Sequence, residues 1–208
     1  MMNKSELLRF ASRLALVAGA MATMAASAQD SACLVRVRAV RLDSANKDST
    51  VLGLSINNRV LPEFDVSGFI TPEWAAELVL TYPQKQTIRS NGADIGSLKH
   101  LPPTLTVQYH FTDMGSYKPY VGAGLNYTRF SEVNFTPAVV SALHPSLAKN
   151  SFGLALQAGF DYAIDRNVYL NVDLKKVQIS TDVSSSGTKV GTLGVDPWLF
   201  GVGVGWRF

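Results

Sequence analysis

Apolar residues recur at every second position in eight separate stretches of the chain, and the last stretch shows the pattern most plainly. Trp198, Phe200, Val202, Val204, Trp206 and Phe208 fall on one face; Leu199, Gly201, Gly203, Gly205 and Arg207 fall on the other. Period two marks a strand, because successive side chains leave a strand on opposite sides. One face is large and apolar throughout, while the other is nearly bare and carries a charge. A soluble sandwich would bury the large face. A membrane barrel turns it to lipid, sets aromatics near both interfaces and turns the small face to its lumen.

Seven further stretches repeat the alternation. Strand one carries Val35, Val37 and Ala39 against Arg36 and Arg38. Strand two, Leu61 to Ile70, opposes Phe64, Val66 and Ile70 to Glu63, Asp65 and Ser67, and strand three runs from Trp74 to Tyr82. Strand four, Thr104 to Phe111, opposes Leu105, Val107, Tyr109 and Phe111 to Thr104, Thr106, Gln108 and His110. Strands five, six and seven span Pro119–Phe130, Ser151–Ala163 and Val168 to about Ser180. The adjacent Lys175 and Lys176 cannot both face inward without a bulge. Connections alternate in length: those after strands one, three, five and seven are long, and the others are tight turns. Gln84–Pro102 reads as a polar loop and Thr181–Gly194 as a Ser/Gly-rich loop, while Pro137 to Ala148 has the composition of a short helix in the third long loop. Pro62, Pro83, Pro103, Pro119 and Pro197 are expected at strand ends, where no ladder bond is lost.

The expected architecture is therefore an all-β, eight-stranded antiparallel transmembrane barrel with long extracellular loops and short periplasmic turns. Both termini would lie in the periplasm. Gly203, Trp206 and Phe208 look like the C-terminal signal by which the barrel-assembly machinery recognises such chains for insertion. A lipocalin-like soluble barrel would give a similar strand count with apolar residues turned inward, and periodicity alone leaves it open.

The N-terminus adds an address. Lys4, Arg9 and Arg13 precede an apolar run from Leu14 to Met24, followed by Ala26-Ser27-Ala28. This is the order of a signal peptide, 1–28, and the run is too short for a spanning helix. Cleavage would leave Gln29 first and a mature domain over 29–208. Removing Lys4, Arg9, Arg13 and Glu6 from the 19 basic and 16 acidic residues leaves 16 against 15. The basic balance thus comes largely from the signal, and nucleic acid is not an expected partner. The single cysteine, Cys33, forms no internal disulfide, and a lipid-anchor reading would require an apolar residue where Asp30 stands.

The inner faces collect charges: Arg36, Arg38, Lys175 and Arg207 against Glu63, Asp65, Glu77, Asp161 and Asp173. Eight strands leave a lumen barely wide enough for side chains, so pairing is expected, giving a packed charged floor. His100 and His144 lie in loops without a partnered nucleophile, and His110 faces inward near the short-turn end. No spacing suggests a metal site or a phosphate-binding loop, so no enzyme, cofactor or metal is expected.

Several stretches resemble the outer membrane protein W (OmpW) family across essentially the whole mature chain. They include Leu61-Pro62-Glu63-Phe64-Asp65-Val66-Ser67, Trp74 to Leu78, His100-Leu101-Pro102-Pro103-Thr104-Leu105, Pro119 to Thr128 and Asp196 to Phe208. The resemblance implies an eight-stranded barrel whose outer half holds an apolar channel passing small hydrophobic molecules sideways into outer-membrane lipid. It also implies a constriction at the positions of Val79 and Lys175, where lysine departs from the family's aromatic. Gly122, Gly124, Gly153 and Ala155 are expected to leave space near the exit.

The rival class is a non-transporting surface barrel, a structural protein, adhesin or phage or toxin receptor acting through its loops. Apolar loop residues Val51, Leu52, Leu54, Ile56, Val139, Val140, Leu143 and Leu147 favour the channel, unless they only pack the loops together.

Overall fold

The structure, a computed structural model, describes residues 33–208; the signal segment, Gln29 and Asp30 lie outside the described residues. In chain order the strands are β1 (Cys33–Asp43), β2 (Lys47–Asp48), β3 (Leu54–Ile56), β4 (Arg59–Phe69), β5 (Trp74–Leu80), β6 (Gln84–Ser90), β7 (Ala93–Leu101) and β8 (Thr104–His110). There follow β9 (Tyr117–Phe135), the helix α1 (Pro137–Leu143), β10 (Pro145–Leu147), β11 (Asn150–Ala163), β12 (Val168–Val177), β13 (Ser180–Ser185), β14 (Thr188–Gly194) and β15 (Trp198–Arg207). Eight of these, β1, β4, β5, β8, β9, β11, β12 and β15, pair antiparallel in that order. β15 returns to β1, Leu34 opposite Arg207 and Val37 opposite Val204, and closes the barrel. All eight strands of the alternation pattern are present, and closure gives each of the eight a neighbour on both sides.

Side chains outside the barrel are the large apolar ones. Phe152, Leu154, Leu156 and Leu125 are exposed, as are Trp198, Phe200 and Val202. Exposure of this extent in a soluble protein would mark an aggregation surface; on a closed barrel it is a lipid-facing belt. Aromatics cluster towards both ends of this belt. At the short-turn end Trp74 meets Tyr109 edge-on with centroids 5.1 Å apart, and Tyr117 stacks on Phe160 at 4.7 Å. At the other end Tyr127 lies 4.8 Å from Phe152.

The long loops are more ordered than their composition suggests. Gln84–Pro102 is not a loop but the β6–β7 hairpin, turning at Asn91-Gly92, both with positive φ. Asn-Gly is the dipeptide that a type I′ turn demands. This hairpin prolongs the wall, because β7 pairs the upper part of β9 from Leu101↔Arg129 to Gly96↔Phe135. Thr181–Gly194 likewise forms the β13–β14 hairpin, turning at Ser186-Gly187 and flanked by β10 and β2. Ser and Gly there serve the turn and the sheet edge rather than disorder. The helix is shorter than the stretch Pro137–Ala148: it ends at Leu143, His144 takes a left-handed φ of 42°, and Pro145 begins β10.

Two other expectations are corrected, the places of two prolines and the upper end of the seventh strand. Pro62 and Pro119 lie inside β4 and β9 rather than at their ends. Pro62 sits above the last β4–β5 pair, Phe64↔Leu80, where no ladder bond to β5 is required. β12 stops at Val177 and runs through Lys175 and Lys176 without a bulge. Normal alternation turns Lys175 inward and Lys176 outward, where its ammonium bonds the Asp196 carbonyl and lies 5.0 Å from the Trp198 ring centre.

Candidate functional site

The lumen is filled in layers. At the short-turn end Leu34, Phe69, Ala75 and Tyr169 form a small apolar plug. His110 packs beside it, its ring 4.9 Å from Phe69 and 5.0 Å from Tyr120. Arg207 lies at this mouth with its guanidinium 4.2 Å from the Phe69 ring centre.

The charges form the next layer. Arg36 grips Asp161 with two bonds, Nε to Oδ1 at 3.0 Å and Nη2 to Oδ2 at 2.7 Å. Its Nη1 donates to Asp65 Oδ1 at 2.9 Å and Ser67 Oγ at 3.0 Å. Arg38 reaches four carboxylates: Asp65, Glu63 at 3.0 Å, Glu77 at 3.1 Å and Asp173 at 3.4 Å. Lys175 Nζ lies 2.6 Å from Glu63 and 3.1 Å from Asp173. All eight side chains are at most 5% exposed. Neutral groups complete the layer. Tyr120 Oη donates to Asp173 at 2.8 Å, Gln157 Nε2 to the same oxygen at 2.7 Å, Asn171 Nδ2 to Asp161 at 2.8 Å and Thr106 Oγ1 to Glu77 at 3.1 Å. Apart from Arg38 Nε, which meets Glu63 as an ion pair without a hydrogen bond, the layer has the pairing that buried charge requires.

The glycines of β15 explain how two arginines fit side by side in β1. A Cβ at Gly203 would meet Arg38 Cγ at 2.7 Å and the Val37 carbonyl at 2.1 Å, and one at Gly205 would meet Arg36 Cγ at 3.1 Å. The bare face of the last strand is the floor on which the arginine stems lie.

Above the charges is a cavity of about 20 Å³. Val79 and Lys175 both line it, with Leu42, Leu61, Gln84 and His100 among the others. That volume admits about one water molecule. Higher still, Leu54, Ile56, Ile88, Leu98, Phe130, Val177, Ile179, Val183, Leu193 and Val195 form an apolar cluster, joined by Leu52, Leu147 and Leu199. The loop apolars therefore divide. Leu54 and Ile56 are buried and Leu52 and Leu147 pack on them, whereas Val51, Val140 and Leu143 are exposed.

One seam of the wall is incomplete at the height of the cavity. β4 continues to Arg59 against β1, but its ladder to β5 ends at Phe64↔Leu80. Beyond that point the Thr81 hydroxyl donates to the Pro62 carbonyl at 3.0 Å, and Val60 and Tyr82 are exposed. The glycines named for space do not supply it. A Cβ at Gly124 would come 1.9 Å from the Leu105 carbonyl, and one at Gly153 2.0 Å from the Gln178 carbonyl. They mark close strand approach, and Ala155 is itself buried.

The parity of the inner faces pointed to the charged residues but not to their neutral partners. Tyr120, Asn171, Gln157 and Thr106 share that parity, yet only three-dimensional packing distinguishes them from other inward polar residues. Gln86 and His100, buried in the β6–β7 hairpin, were missed as lumen groups because the hairpin read as a loop.

The match of the OmpW family model covers residues 18–208. Outer membrane protein W of Vibrio cholerae is 32% identical over 178 residues, 80% of this chain and 82% of that protein. A Sinorhizobium fredii protein described as an uncharacterized outer-membrane protein is 41% identical over 161 residues, covering 74% of this chain and 69% of its own. The crystal structure of the outer membrane protein OprG from Pseudomonas aeruginosa superposes with a TM-score of 0.75 at 25% identity, covering 85% of this chain and 95% of that one. With the closed barrel, its lipid-facing belt and a family match over residues 18–208, this chain belongs to the OmpW family of outer-membrane proteins.

Proposed function

We propose that this protein is a narrow channel for small, largely apolar molecules, closed to the periplasm by its charge layer and open sideways to the membrane. The observation that carries the reading is the stacking of an apolar upper lumen on a floor of paired ions. A solute among Leu54, Ile88, Val177 and Ile179 would have to displace ion pairs to continue along the axis. Moving sideways keeps it in apolar surroundings, which costs far less. The incomplete β4–β5 seam, beside Leu61, Thr81 and the cavity, supports exit there. Val79 and Lys175 form the constriction in this reading. Lys175 points its ammonium to Glu63 and Asp173, leaving its methylene stem towards the solute. In the cavity's present size, passage requires side chains to part. The termini lie in the periplasm, residues 1–28 are the export signal, and Gly203, Trp206 and Phe208 direct assembly.

The test is Val79→Trp in an uptake assay with a small apolar compound. Uptake should slow while folding, followed by heat-modifiable gel mobility, is kept. Unchanged uptake would mean that solute does not pass Val79. The exposed apolar residues Val51, Val140 and Leu143 would then favour the second reading, a surface barrel that acts through its loops.

A further inference from the structure

The apolar upper lumen contains a polar patch that the channel reading does not use. Gln86 on β6 is 1% exposed, and neither its Oε1 nor its Nε2 has a partner. His100 on β7 is 2% exposed, and its Nε2 also has none. In the hairpin register Gln84 faces His100 and Gln86 faces Leu98, so Gln86 and His100 are diagonal neighbours on the inward face. Diagonal positions are within reach of long side chains. The other polar residues of the patch are engaged. Gln84 Nε2 donates to the Tyr82 carbonyl at 2.9 Å, Asn126 Nδ2 to Thr104 Oγ1 at 2.9 Å, and Thr128 Oγ1 to Asn126 Oδ1 at 2.7 Å. Two fully buried side chains thus bring three unpaired polar atoms into a lumen otherwise walled by Ile88, Leu98 and Phe130. Buried polar groups are normally satisfied, and an unpaired one carries a standing penalty that a binding partner removes.

We propose that Gln86 and His100 form a hydrogen-bonding subsite for the polar end of an otherwise apolar, uncharged small molecule, of the class of alcohols and amides. The inference rests on the channel reading and gives its cargo a polar head. An amide offers both a donor and an acceptor, and an imidazole nitrogen accepts or donates with its tautomer, so a hydroxyl or carboxamide is complementary. The cavity that His100 lines, beside Gln86, has the volume of about one water molecule, which is the size of a hydroxyl; a carboxamide would need the side chains to part. Its lining residues Val177, Ile179 and Leu199 adjoin the apolar cluster that would take the body. A charged head is disfavoured. The ions at the cavity, Lys175 and Glu63, already hold each other at 2.6 Å.

The mature chain in lipid nanodiscs, titrated by fluorine NMR with 4-fluorobenzyl alcohol and 4-fluorotoluene, tests this. Each signal is corrected for partition into protein-free discs. The wild-type protein should favour the alcohol by about five- to tenfold, the worth of one neutral hydrogen bond. Gln86→Leu and His100→Phe should each reduce that ratio towards one. A ratio near one in the wild type, or one unmoved by both variants, would overturn the proposal and leave these atoms to a bound water, with the channel reading intact. Failure of both probes to bind the wild type would remove the channel reading itself and the subsite with it. Should Gln86→Leu not fold, the Gln86 side-chain amide resonance in the wild type decides. It shifts with the alcohol and not with fluorotoluene if the subsite exists, and responds equally to both if it does not.

Discussion

Three cations in the barrel floor face five carboxylates, so the layer carries two more negative than positive groups when all are ionised. This imbalance makes its members unequal. Arg38→Met removes the one side chain that reaches four carboxylates, leaving Arg36 and Lys175 against five. Breaking a buried pair by removing one partner costs about 3–5 kcal/mol, because the remaining charges stay buried and uncompensated. Glu77→Gln instead reduces the excess. Its amide oxygen still accepts from Thr106, and Arg36 and Arg38 keep their other carboxylates. Its cost should be about 1 kcal/mol, that of weakened hydrogen bonds. Urea unfolding in lipid vesicles can be followed through Trp74, Trp198 and Trp206, which all lie on the lipid face. With a urea slope of about 2 kcal/mol per molar, Arg38→Met should lower the midpoint by about 2 M and Glu77→Gln by about 0.5 M. Equal shifts, or a larger one for Glu77→Gln, would refute the argument from unequal charge.

Three further outcomes follow from the same geometry. Reconstituted protein should show small conductance in planar bilayers, since the ionic layer leaves no aqueous path; porin-like currents would contradict a closed floor. Gly124→Ala should lower the unfolding midpoint by more than Gly68→Ala, because the new methyl would meet the Leu105 carbonyl and Thr106 Cα, while Gly68 has open space. His100, in the hairpin above the eight-strand wall, has its pKa pushed down from 6.5 to about 4 by burial. The neutral ring therefore contributes stability above pH 6.5 that is lost as pH falls towards 4, about 3 kcal/mol in all. The difference in stability between wild type and His100→Gln should slope over that window and be flat on either side.

The barrel was legible because lipid and lumen impose opposite demands on neighbouring residues. Phe152, Leu154 and Leu156 against Gly153 and Ala155 could be read without knowing any contact. The hairpins above the membrane were not legible, because their strands alternate inward and outward without a matching contrast in residue polarity. In Gln84 to Ser90, Lys85 and Arg89 face solvent, but Gln84 and Gln86 face the lumen with side chains that read as surface. The Asn91-Gly92 turn was the available signal, and only its combination with the flanking periodicity marks a hairpin.

The charge layer was legible in membership but not in arrangement, and the reason lies in β15. Alternation places Arg36 and Arg38 on the inner face, yet says nothing about where two long cationic side chains find room. Their stems lie across Gly201, Gly203 and Gly205 of the strand that joins β1 only when the barrel closes. A side chain larger than hydrogen at Gly203 would push Arg38 away from Glu63 and Asp65. The bare stripe of the last strand and the arginines of the first are therefore one feature, separated by the length of the chain. Closure of the barrel and neutralisation of its floor occur at the same seam, so the ionic layer can form fully only in the finished barrel.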